Sequence, residues 1–123
     1  MDELIERLVA KVGVDRATAE KALGIMLDFL AKEGPPDQVQ TLLQNMPGAD
    51  ALIAATREGE GGGGFFGGMG GIMGVGSRMM AAGLNMGQIQ VITRETIAYA
   101  REKAGEDVVG NIVDSIPGLG QFV

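Results

Sequence analysis

Apolar residues recur along this chain at intervals of three and four, the period of an amphipathic helix. From residue 2 to 12, Leu4, Ile5, Leu8, Val9 and Val12 share one helical face. Asp2, Glu3 and Glu6 stand at its start and Lys11 near its end, the polarity a helix dipole favours. Gly13 supplies a stop. Asp15 suits the N-cap of a second helix running to about Lys32, with Ala19, Ala22, Leu23, Met26 and Leu30 at helical spacing and Ile25, Leu27 and Phe29 beside them. Gly34-Pro35-Pro36 ends that helix. A shorter helix is expected from about Asp37, carrying Val39, Leu42, Leu43 and Met46 inward and closing at Pro47-Gly48, with a turn or two more between Ala49 and Ala55.

The same order returns further along. A shift of 70 residues lays Gly83-Leu84-Asn85 on Gly13-Val14-Asp15, Tyr99 on Phe29, Ile112-Val113 on Leu42-Leu43 and Pro117-Gly118 on Pro47-Gly48, without a gap. Identity is sparse, at Gly13, Asp37, Val39, Pro47 and Gly48, but caps, stops and apolar positions keep their places. In the second stretch Asn85 and Gln88 form a capping-box variant, Ile89, Ile92, Thr96 and Ala100 continue a buried face, and Asp107 precedes Val108, Val109, Ile112, Val113 and Ile116. The pattern predicts an all-α protein: a tandem duplication of a three-helix unit, residues 1–56 and 77–123, packed as one small helical bundle. Residues 57–76 read as a Gly/Met-rich connector.

That connector is unlike a polar linker. From Gly59 to Gly76, eleven of eighteen residues are glycine, interrupted by Phe65, Phe66, Met69, Ile72, Met73 and Val75, and no charge falls between Gly61 and Gly76. Each glycine costs a helix about 1 kcal/mol relative to alanine, which favours a loose connector. Yet Phe65, Met69, Ile72, Met73 and Met80 share a helical face, and Gly67 with Gly71, and Gly70 with Gly74, repeat at the spacing that admits a close helix neighbour. Such a helix needs a partner: the rest of the chain, a second subunit or a bilayer surface. Five of the eight methionines, Met69, Met73, Met79, Met80 and Met86, lie close together, suited either to filling an irregular core or to forming an adaptable surface. The candidate interaction surface is Phe65, Phe66, Met69, Ile72, Met73 and Met79.

Composition narrows the chemistry. Sixteen acidic against ten basic residues give a net charge of -6, which opposes the phosphate neutralisation that nucleic acids demand. Neither His nor Cys is present, so a Ser-His-Asp triad, a Cys-His pair and a thiolate or imidazole zinc site are all excluded. Gly76-Ser77-Arg78 lacks the lysine and the preceding strand of a phosphate loop, and Glu3/Glu6, Glu58/Glu60 and Glu106/Asp107 lack the alternation of a calcium loop. No cofactor is expected. The acidic start is unlike the basic region of a signal peptide, and the apolar run falls short of the roughly 20 residues a membrane crossing needs.

The string Leu4-Ile5-Glu6-Arg7-Leu8-Val9-Ala10-Lys11-Val12-Gly13-Val14-Asp15, the alanine-rich helix after it, and Leu42-Leu43-Gln44-Asn45-Met46-Pro47-Gly48-Ala49-Asp50-Ala51-Leu52 resemble bacterial helical domain families of unknown function, of the VcgC/VcgE type. The resemblance spans most of the first half and, more loosely, residues 83–119. It implies a compact helical fold and brings no activity, cofactor or catalytic residue.

The reading that results is a cytoplasmic, non-enzymatic helical protein whose work is binding: a homo-oligomer, or a module that docks an apolar protein partner. Two rivals remain at this stage. One is peripheral membrane contact through Phe65-Phe66, which the acidic balance disfavours on anionic lipid. The other is an enzyme or small-ligand protein that gathers Arg57, Arg78 or Arg94 with carboxylates in a helical pocket.

Overall fold

A computed structural model of the protein describes residues 2–59, 71–116 and 118–122. The described residues form an all-α bundle. Its helices are α1 (Asp2–Val12), α2 (Arg16–Glu33), α3 (Pro36–Gln44), α4 (Ala49–Gly59), α5 (Gly71–Ala81), α6 (Met86–Ala104) and α7 (Glu106–Ser115), followed by a 3-10 turn at Leu119–Phe122.

Local chemistry sets most of these boundaries. Gly13 takes φ +81°, a conformation costly for any residue with a side chain, and its N–H closes α1 on the Val9 carbonyl at 3.1 Å. The Asp15 carboxylate accepts the Thr18 N–H at 2.8 Å and so opens α2. Hydrogen bonding from the Thr18 side chain and backbone also holds the Asp15 carboxyl below its ordinary range. Helix α3 starts one residue earlier than the pattern predicts, because Pro36 fits the first helical position, where no N–H is required. Helix α4 runs to Gly59, well past the one or two turns expected from Ala49.

The reason for that extra length lies in α2. Its residues from Gly24 to Leu30 are all buried, Asp28 included, so α2 is the axis of the bundle and has no solvent stripe in its middle. Helices α1, α3, α4, α5 and α6 all pack against it. Helix α4 crosses at Gly24, where a β-carbon would collide with Thr56 Oγ1 and come within 3.1 Å of the Leu52 carbonyl oxygen. Backbone-to-backbone approach at this point is possible only because Gly24 has no side chain.

The long helices α2 and α6 pack on each other. Helix α1 lies against α6 as well as α2, α5 lies against α2 as well as α6, and α3 packs on α7. The first helix of each stretch therefore docks on the long helix of the other, and Leu4, Leu8, Leu23, Met26, Leu42, Met79, Ile92, Ile97 and Ile112 belong to one continuous core. Shifted by 70, the bounds 2–12, 16–33 and 36–44 become 72–82, 86–103 and 106–114, within one residue of α5, α6 and α7. Gly48 and Gly118 both take positive φ, as do Gly13 and Gly83.

The correspondence stops after α3. A full helix, α4, follows the first Pro-Gly, whereas the second is followed by the 3-10 turn through Leu119. The position matching Gly24 is Arg94, which is exposed, so α6 offers no bare backbone for a fourth helix to cross.

Gly24→Ala is expected to destabilise the fold by about 1–3 kcal/mol, since the added methyl group must displace α4. Urea denaturation checks the magnitude. Thr56→Ala in the same chain should recover part of the loss, because it removes the nearest colliding atom.

Candidate functional site

From Gly61 to Thr93 the sequence carries a single charged residue, Arg78. The structure brings the described part of this stretch to the corner between α5 and α6. Helix α5 does not form by propensity: Gly71, Gly74 and Gly76 among its eleven residues cost about 3 kcal/mol relative to alanine. Tertiary contacts hold it. Val75 and Met79 are buried, and Arg78 reaches across to α2, where its Nη2 lies 3.2 Å from Asp28 Oδ2.

Asp28 is 0% exposed and the Arg78 side chain only 11%. Lys32, one turn along α2, adds its Nζ at 3.3 Å from the same oxygen while its side chain stays largely in solvent. A buried carboxylate is tolerated only when paired and hydrogen-bonded, so this contact specifies where α5 sits more than it adds to stability.

Helix α5 ends in a Schellman motif. The Leu84 N–H donates to the Met79 carbonyl at 3.2 Å and the Gly83 N–H to the Met80 carbonyl at 3.0 Å, with Gly83 at φ +97°. Buried Met79 and Leu84 occupy the two positions that make the hydrophobic contact of this motif. Helix α6 begins at once. Asn85 Oδ1 accepts the Gln88 N–H at 2.8 Å, and Gln88 Oε1 accepts the Asn85 N–H at 3.0 Å. Two interlocked caps therefore fix the corner, and they leave Met80 49% and Met86 48% exposed. These are the exposed large hydrophobic side chains among the described residues.

The candidate surface read from sequence is thus redrawn. Met79 is 0% exposed and belongs to the core, because the Schellman motif turns its position inward toward Leu84. Phe65, Phe66 and Met69 lie outside the described residues. Ile72 and Met73 fall in the first turn of α5, with side chains outside the described set. Helix α5 opens at Gly71, inside the span 57–76 read as a connector. Met80 and Met86, read from sequence as members of the methionine cluster but left out of the candidate surface, are the ones that reach solvent; Asn85 as N-cap places Met86 at the first helical position.

A second polar cluster fastens α1 to α6. Arg7 donates to both carboxylate oxygens of Glu102, at 2.8 and 3.2 Å, and to Glu3 at 3.1 Å. Lys11 Nζ lies 2.7 Å from Glu95 Oε1. Arg7 and Lys103 each stand over the Tyr99 ring, 5.5 and 5.4 Å from its centroid. The hydrogen bonds from Arg7 pull the Glu102 carboxyl below its ordinary range, and Glu102 in turn raises the Arg7 guanidinium further.

Of the arginines weighed for a ligand pocket, Arg78 turns to Asp28, Arg94 is exposed, and the Arg57 side chain is outside the described set. Among the described residues no three acidic side chains gather as metal ligands, and no helix is long and apolar enough to cross a membrane. No family model, no curated protein and no solved structure matches the chain.

Arg78→Met is expected to cost about 3 kcal/mol in urea denaturation, because it strips a partner from a buried charge, and adding Asp28→Asn should recover part of that loss. The surface cluster has a pH signature. A carboxyl lowered on folding contributes fully above its ordinary value, near 4, and that contribution is lost as pH falls through the folded value. Glu102→Gln should therefore narrow the gap between urea midpoints measured at pH 7 and pH 3.

Proposed function

We propose that the chain is a non-enzymatic self-association module, cytoplasmic, in which two copies meet through the corner between α5 and α6. The observation that carries this reading is the half-exposure of Met80 and Met86 on a corner held in place by two interlocked caps. A preordered apolar surface loses little freedom on docking, and methionine adapts its shape to what it meets.

Charge favours a second copy as the occupant. Each chain carries a net charge of -6, so two copies repel over most of their surface. The described stretch from Gly71 to Thr93 carries only Arg78 as a charge, and that side chain lies against Asp28, so the corner's own residues present little charge to a second acidic chain. A symmetric pair would set the same patch against itself, Met80 and Met86 of one chain meeting those of the other. The recurrence of helix bounds at a 70-residue offset supports the further reading that one helical unit is written twice in the chain.

Light scattering tests the reading. The intact chain should show the mass of a dimer or larger assembly, and Met80→Ser with Met86→Ser should reduce it to the mass of one chain while the helical circular dichroism stays unchanged. An intact chain that is monomeric at high micromolar concentration overturns self-association. Capture of the intact chain by lipid vesicles, lost in the same double variant, would transfer the corner to membrane contact instead.

A further inference from the structure

The side chains that make the corner apolar are also the ones an oxidant reaches first. The chain has no Cys, His or Trp, and its one Tyr, Tyr99, is 4% exposed beneath Arg7 and Lys103. The thioethers are therefore its principal soft nucleophiles. Among the methionines with described side chains, Met26, Met46 and Met79 are 0–1% exposed, whereas Met80 and Met86 are about half exposed. Both large apolar side chains exposed among the described residues are sulfur-bearing.

We propose that Met80 and Met86 form a paired sulfoxidation site, at which a hydroperoxide switches off the association surface. The inference rests on the self-association reading above. In the step itself a thioether lone pair attacks the terminal oxygen of the hydroperoxide. An S–O bond forms as the O–O bond breaks, the alkoxide or hydroxide that departs takes up the proton, and an alcohol or water leaves. The sulfur loses two electrons and the peroxide gains them, so no further reactant is required.

The geometry makes this a switch and not a lesion. Both methionines point away from the core, and the caps that hold the corner use backbone groups with the Asn85 and Gln88 side chains, none of which the oxidation touches. A sulfoxide is polar and a strong hydrogen-bond acceptor, so burying two of them from each chain against an uncharged surface leaves acceptors without partners. Oxidation of Met79, by contrast, would place that oxygen in the core beside Leu84 and unfold the corner.

The folded chain is treated with hydrogen peroxide and followed by methionine-resolved mass spectrometry and light scattering. Met80 and Met86 should convert on the order of tenfold or more faster than Met26, Met46 and Met79. The solution mass should fall to that of one chain with helical circular dichroism retained, and a methionine sulfoxide reductase should restore it. Met80→Leu with Met86→Leu keeps the apolar corner without the thioethers, and should associate both before and after peroxide. Equal conversion of all five methionines overturns the site, and peroxide dissociation of the leucine variant overturns its role as the switch. A chain already monomeric before oxidant overturns the self-association reading and the switch with it, while site selectivity is still decided by the mass spectra.

Discussion

Helix α2 has no face left for solvent between Gly24 and Leu30, and the bundle follows from the need to enclose it. Each neighbour meets this axis by a different chemistry. Helix α4 comes close because Gly24 removes a side chain, α5 is located by the ion pair between Arg78 and Asp28, and α6 brings the Thr93 hydroxyl to 3.8 Å from Met26 Sδ. That hydroxyl also donates to the Ile89 carbonyl at 2.9 Å, so it enters the core already satisfied. The Thr96 hydroxyl, equally buried, has no partner, which is a cost that the packing around it must outweigh.

Enclosure also explains why the two stretches interlock instead of standing side by side. Neither α2 nor α6 is covered by its own neighbours in sequence alone: α5 crosses to α2, and α1 crosses to α6. The surface seam of Arg7, Glu102, Lys11 and Glu95 then runs along one of these crossings, so its polar contacts join residues far apart in the chain. A small chain gains much from this exchange, because a half of this size buries too little apolar surface to hold itself together.

Much of this was legible from residue spacing. Gly13, Asp15, Asn85 with Gln88, and Pro47-Gly48 announce starts and stops by local stereochemistry, and the structure places helix ends beside all of them. Burial of α2 on every side was not legible, because a helix wrapped by five others shows a continuous apolar run, and such a run hides its orientation. Asp28 reads as an exposed interruption until its partner, fifty residues away, is known. The candidate surface failed at Met79 for a related reason. Two adjacent methionines, Met79 and Met80, have the same composition and opposite fates, and the Schellman turn at Gly83 decides between them.

The contact of Tyr99 with two cations has an optical consequence. Tyr99 is the sole tyrosine and there is no tryptophan, so the near-ultraviolet absorption and emission of the protein arise chiefly from one buried ring on the seam between α1 and α6. Any event that shifts α1 against α6 moves the Arg7 guanidinium relative to that ring, and hence changes the absorption of the strongest near-ultraviolet chromophore. The chain thus carries an intrinsic gauge of whether its two interlocked stretches remain engaged, on the same helix, α6, that opens at the corner where a second copy would meet it.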